Sequence, residues 1–127
     1  MKSIRSFHEL TVWQRAIDLS VQIYTLTQSF PKDELFGLTN QVRRASVSVS
    51  SNIAEGQSRL TKPEFIHFLS IARGSNAEVQ SQLELARRLN FGNIDSIVLC
   101  EGLATEVAKM LNVLIASLKS PQPPRPN

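Results

Sequence analysis

Between Gln41 and Gly56 the apolar residues Val42, Ala45, Val49 and Ile53 recur alternately three and four positions apart. That spacing gathers them on one face of an α-helix. The polar residues Gln41, Arg44, Ser48, Asn52 and Glu55 repeat at the same interval on the flank of that face. A solvated helix surface is usually built from good helix formers such as Lys, Glu, Gln and Ala. Ser and Asn are poorer ones, because they bond the backbone in non-helical shapes. Five specific polar groups beside an apolar stripe therefore predict a polar seam that faces protein or ligand. The Val-Ser-Val-Ser alternation inside this stretch also suits a strand, but the helical spacing holds over the longer window.

Three further segments read as helices. The first spans about Val12 to Ser29, with Thr11 and Gln14 as a capping box and Pro31 as its stop. Trp13, Ala16, Ile17, Ser20, Tyr24 and Thr27 form one face, and Leu19, Ile23, Leu26 and Phe30 form a second stripe beside it. Together they cover roughly 200° at 100° per residue, about twice what a helix on the outside of a lone bundle needs. The second helix, which carries the polar seam, starts at Glu34 or Leu38 and ends at Glu55; Gly37 weakens its first turn and Gly56 suits the position just past its end.

The third runs from about Lys62 to Asn90, opened by a Thr61/Glu64 capping box with Pro63 in its first turn. Its core stripe is Phe65, Phe68, Leu69, Ala72, Val79, Leu83 and Ala86; Ile71, Ser75, Glu78 and Gln82 form a mixed stripe alongside. Gly74, in mid-helix, predicts a close backbone contact. After the Phe91-Gly92-Asn93 turn, the fourth helix starts at Asp95 as N-cap and reaches about Lys119, with Leu103, Val107, Met110, Leu111, Leu114 and Leu118 inward. Residues 1–119 thus make one all-α, antiparallel up-down four-helix bundle. The proline-rich tail Ser120–Asn127 cannot continue the helix and is expected to be disordered.

Composition narrows the function classes. The chain has 14 basic and 11 acidic residues among 127, a net charge of only +3, which permits nucleic-acid binding without demanding it. Nine of the cations are Arg, the better phosphate and interface residue. A single cysteine, Cys100, excludes an intrachain disulfide and a cysteine-based zinc site. There is no apolar run of membrane-spanning length and no signal-peptide core, so the chain reads as soluble and cytoplasmic, with no membrane partner.

Candidate chemistry is sparse. Glu64-x-x-His67 is half of a di-iron bundle motif, but His8 is the only other histidine and lacks that spacing. Arg59 and His67 are too far apart, with Pro63 between them, for the Arg–His motif of helical HEPN-type ribonucleases. No Gly-rich phosphate loop occurs, and no His or Lys sits at helical spacing from Ser46, Ser48, Ser50 or Ser51. No metal, cofactor or catalytic residue is expected, and Cys100 reads as an inert core thiol.

The arginines carry what functional signal remains. Arg44 lies on the polar seam and is expected to be structural, ion-paired with Glu55 or Glu78. Arg43, Arg59, Arg73, Arg87 and Arg88 are the candidate phosphate contacts. No aromatic stacking surface accompanies them, so base-specific RNA reading is not expected.

Four stretches in order, LTVWQRAIDL, FPKDELFGLTNQ, RRASVSVSSNIAEG and FLSIARGSNAEVQSQL, resemble the four-helix-bundle proteins of the 23S rRNA intervening-sequence family. The resemblance runs from about Phe7 to Leu118. It implies a ring-shaped homopentamer, which would cover the extra stripe of the first helix and the polar seam of the second. It also implies a relation to the accessory protein of diversity-generating retroelements, a basic pentamer that binds nucleic acid and a reverse transcriptase. The expectation is a non-enzymatic, RNA-linked oligomeric adaptor whose partners are itself, RNA or DNA, and another protein. The alternative is a protein–protein scaffold with no nucleic-acid role.

Overall fold

The computed structural model describes residues 6–121 and contains four α-helices: α1 Thr11–Thr27, α2 Leu38–Gln57, α3 Lys62–Arg88 and α4 Ile94–Lys119. Short 3-10 turns precede α1 (Phe7–Glu9) and α2 (Lys32–Glu34). No strand occurs among the described residues, so the Val-Ser alternation is helical. Each helix packs on its chain neighbours and α1 closes against α4, while the diagonal pairs lie further apart across the core. That is an up-down four-helix bundle.

Two apolar clusters fill it. One joins Leu19, Ile23, Leu26, Val42, Val79, Leu83 and Ile97; the other joins Val12, Ala16, Val49, Ile53, Leu69, Val107 and Leu111. Buried Asn76 belongs to neither. Its Nδ2 donates to the Ala104 carbonyl at 2.9 Å, tying α3 to α4. A slip of either helix would strand that amide in the interior, so the bond holds the register.

The stripes divide much as their spacing implies, with informative departures. On α1 the bundle buries Val12, Ala16, Leu19, Ile23, Leu26 and Thr27. Trp13, Ile17 and Ser20 remain half-buried and Tyr24 is 44% exposed, so the second stripe stays partly open. On α4, Ile97, Cys100, Ala104 and Ile115 share the deep positions with Val107 and Leu111, whereas Leu103, Met110, Leu114 and Leu118 pack at its edge.

Several helix ends correct the sequence expectation. Thr11 is the first residue of α1 and not its cap; Leu10 holds the N-cap position without a side-chain bond. Gln14 Nε2 instead reaches the His8 carbonyl at 2.9 Å, because the preceding 3-10 turn runs straight into the helix. At α3 the cap is as expected, with Thr61 Oγ1 accepting from the Glu64 amide at 3.3 Å. The α4 cap is Asn93, whose Oδ1 accepts from the amides of Asp95 and Ser96, so Asp95 lies within the first turn.

Helix α3 ends at Arg88, short of Asn90, in a Schellman arrangement. Asn90 takes φ 58°, its amide donates to Arg87, and the Phe91 amide donates to Ala86. Helix α4 ends at Lys119. Residues 122–127 of the expected tail lie outside the described residues.

The two glycines singled out exchange roles. Gly56 sits inside α2 and not beyond its end, and a Cβ there would fall 2.9 Å from Phe68 Cβ and 3.1 Å from Phe65 Cδ1. It is the close α2–α3 approach that requires glycine at this position. Gly74 has nothing within 4 Å of its notional Cβ, so the contact expected there is absent.

Candidate functional site

The polar stripe of α2 meets the mixed stripe of α3. Ser48 and Ser75 share a hydrogen bond of 2.8 Å between their hydroxyls. Asn52 Nδ2 donates to both the carbonyl and the hydroxyl of Ser48, at 2.8 and 3.0 Å. Above this floor opens a groove of about 370 Å³ lined by Asn40, Gln41, Arg44, Ala45, Ser48, Ser75, Glu78 and Gln82. Because α2 and α3 run antiparallel, a turn toward the start of α2 is a turn toward the end of α3. Arg44 and Glu78 therefore occupy facing walls one turn above the serines, and Gln41 and Gln82 occupy them a turn further on.

The ion pair expected for Arg44 is not formed. Arg44 is exposed, and no carboxylate lies within 4.0 Å of it among the described residues. Glu55, one expected mate, is taken by Arg59 four residues on, at 2.5 Å. Glu78, the other, is exposed and likewise unpaired. The side-chain oxygen of Gln82 is buried and has no hydrogen-bond partner. The seam thus splits into a satisfied lower half, Ser48 with Asn52, and an upper half with polar groups to spare.

The five candidate phosphate contacts are spread over several seams, because each is drawn to its own neighbour. Arg43 is half-buried between α1 and α2: its Nε donates to Thr27 Oγ1 at 2.8 Å and its guanidinium lies 4.7 Å from the Tyr24 ring centre. Arg59 pairs with Glu55 and covers the Phe68 ring at 4.7 Å. Arg73 reaches across to α4, donating to Asn112 Oδ1 at 3.2 Å. Arg87 pairs with Glu101, and Arg88 with Glu84 at 3.4 Å along α3. Of the five, Arg43 and Arg73 carry no carboxylate. Hydrogen bonding to Glu101 raises the Arg87 pKa above its ordinary value.

Arg15 binds Asp18 at 3.1 Å and Glu106 at 3.0 Å, joining α1 to α4; its spacing of three from Asp18 marks the first pair, while Glu106 is distant in sequence. Its pKa is raised, first by the hydrogen bond to Asp18 and then by Glu106.

The histidines are held by neighbours. His67 is exposed and packs edge-on against Phe68. His8 stacks on Phe7 with ring centres 4.2 Å apart and hydrogen-bonds Ser6 at 2.7 Å. No group of three or more His, Cys, Asp or Glu side chains could hold a metal among the described residues. Cys100 is fully buried, and burial first, with Glu101 second, pushes its thiol pKa up to about 11. No described helix is long and apolar enough to cross a membrane.

The α3 half of the groove was visible in the spacing of Ser75, Glu78 and Gln82. What the spacing lacked was the hydrogen bond between Ser48 and Ser75 that joins that stripe to α2.

Residues 8–113 match the family described as 23S rRNA-intervening sequence protein. The fold is similar to the crystal structure of a protein with unknown function from the S23 ribosomal protein family of Bacteroides thetaiotaomicron. The TM-score is 0.74 at 24% identity, over 83% of this chain and 98% of that one. No curated protein matches the chain.

Proposed function

Because the chain belongs to the 23S rRNA-intervening sequence protein family, we propose that it is a non-enzymatic, RNA-associated oligomeric adaptor. The family match over residues 8–113 carries this reading. The RNA contacts it calls for are phosphate contacts, which need cations and no base recognition. Arg43, Arg44 and Arg73 carry no carboxylate, so their charge is available to a phosphate. Arg59, Arg87 and Arg88 still have free N–H donors but are locally neutralised.

A chain with net charge +3 binds phosphate weakly by itself. Self-association into a ring, with a pentamer as the expected number, repeats each cation and adds the weak contacts through multivalency. The half-open α1 stripe of Trp13, Ile17, Ser20 and Tyr24 is the surface that favours self-association. A second reading, a protein–protein scaffold without RNA, is favoured by exposed Phe36, Leu60 and Val113, at 90%, 98% and 71%.

Light scattering and RNA-binding anisotropy on the same preparation test the proposal. The proposal expects a mass several times 14.2 kDa and RNA binding that weakens sharply in Ile17→Glu, which charges the α1 stripe away from Arg43. A monomeric wild type, or an assembly that binds protein but no RNA, contradicts it.

A further inference from the structure

The groove between α2 and α3 holds polar groups that the fold leaves without partners, and their arrangement has a chemical polarity. On the α2 wall stands the unpaired guanidinium of Arg44, with the Gln41 amide one turn away. On the α3 wall stands the unpaired carboxylate of Glu78, with Gln82 one turn on. The Ser48–Ser75 hydroxyl pair at 2.8 Å closes the floor beneath them. An occupant must be anionic where it meets Arg44 and must offer N–H donors where it meets Glu78.

The groove measures about 370 Å³, within the range of about 300–1,000 Å³ typical of small-molecule sites. Its lining is more polar than apolar and supplies charges, amides and hydroxyls, so a purely apolar ligand leaves those groups unmatched. We propose that this groove is a nucleotide site: Arg44 takes the phosphate, and Glu78 takes the amino edge of the base. This rests on the RNA-associated reading and gives it a defined contact.

The chemistry of each contact is ordinary. An unpaired guanidinium presents two parallel N–H bonds to a phosphate. A carboxylate accepts from the exocyclic amine of cytosine, and amide side chains read base edges. The bases of single-stranded RNA present these edges when unstacked. Uracil has no exocyclic amine and satisfies Glu78 least well. The contact therefore carries a base preference where the phosphate contacts elsewhere carry none.

Calorimetric titration of the full chain with CMP, AMP, GMP, UMP and inorganic phosphate tests the site, with RNA binding measured in parallel. CMP, AMP and GMP should bind more tightly than UMP, and phosphate should bind weakest. Arg44→Gln should weaken every nucleotide by at least about tenfold, the worth of one charge-assisted hydrogen bond. Glu78→Gln should erase the disadvantage of UMP. Melting temperature and mass of both variants should match the wild type, since both positions are exposed.

Nucleotide binding that ignores both substitutions, or phosphate binding as tightly as nucleotides, overturns the site. So does a change of oligomer mass in both variants without nucleotide binding, which makes the groove a subunit contact. If RNA binds while nucleotides neither bind nor compete, the groove assignment fails and the RNA role stands. If nucleotides bind but RNA does not, the groove stands and the RNA role fails.

Discussion

The hydroxyls of Ser48 on α2 and Ser75 on α3 meet at 2.8 Å, and Asn52 donates to the same Ser48 oxygen at 3.0 Å. Three polar side chains in the seam thereby satisfy one another. The helices meet here without calling on Arg44, which stays exposed at the groove one turn above. The seam is held by neutral hydrogen bonds, and the charges of Arg44 and Glu78 are left unpaired.

Arg44→Ala tests that division. An arginine ion-paired in the interior would cost about 3–5 kcal/mol to remove, because its mate is stranded. An exposed and unpaired one should change stability by no more than about 0.5 kcal/mol. Denaturant unfolding separates the two, and a shift of several kcal/mol would place Arg44 in a structural pair.

Gly56 and Gly74 should respond in opposite directions to alanine. A Cβ at Gly56 meets Phe68 Cβ at 2.9 Å, so Gly56→Ala forces α2 and α3 apart and should cost about 1–3 kcal/mol, as overpacking does. A Cβ at Gly74 meets nothing within 4 Å in mid-helix, so Gly74→Ala should stabilise by about 0.5–1 kcal/mol through helix propensity. Chemical denaturation of the two variants checks both signs; equal effects would mean the α2–α3 approach is looser than described.

Cys100 gives a pH dependence with a definite sign. Its thiol has a pKa of about 11 in the folded chain against an ordinary value of 9.0. The unfolded state loses the proton first as pH rises, so the folded state binds more protons between these values. Stability is therefore undiminished below about pH 9 and falls from there toward pH 11. Cys100→Ser should flatten that part of the profile. A thiol reagent at neutral pH should label the native chain only as fast as it unfolds, because a buried neutral thiol is a poor nucleophile. Rapid native labelling would contradict the burial.

The bundle was legible in the sequence because its signals are redundant. Three-four spacing recurs through every helix, and Thr61 and Pro63 mark one start without ambiguity. Single-residue roles were less legible where they depend on a neighbour distant in sequence. Gly56 reads as a helix terminator until Phe65 and Phe68 of α3 are laid against it. The groove had the same obstacle: Arg44 and Glu78 both stand out by spacing, and a guanidinium and a carboxylate on facing stripes invite an ion pair. The placement of Arg59 beside Glu55 shows why Glu55 does not serve Arg44, and Arg44 and Glu78 stay more than 4.0 Å apart. Arg43 and Arg87 read as free cations because Thr27 and Glu101 lie on other helices.

RNA binding across a salt series tests the central claim most directly. If the assembled chain holds RNA through its phosphates, log affinity should fall linearly with log salt, with a slope of about −0.7 per phosphate neutralised on a single strand. Arg73→Glu should reduce that slope more than Arg87→Glu, because Arg87 is already matched by Glu101 while Arg73 meets only the neutral Asn112. An intact assembly that binds no RNA at about 50 mM salt, where counterion release is most favourable, would contradict the account.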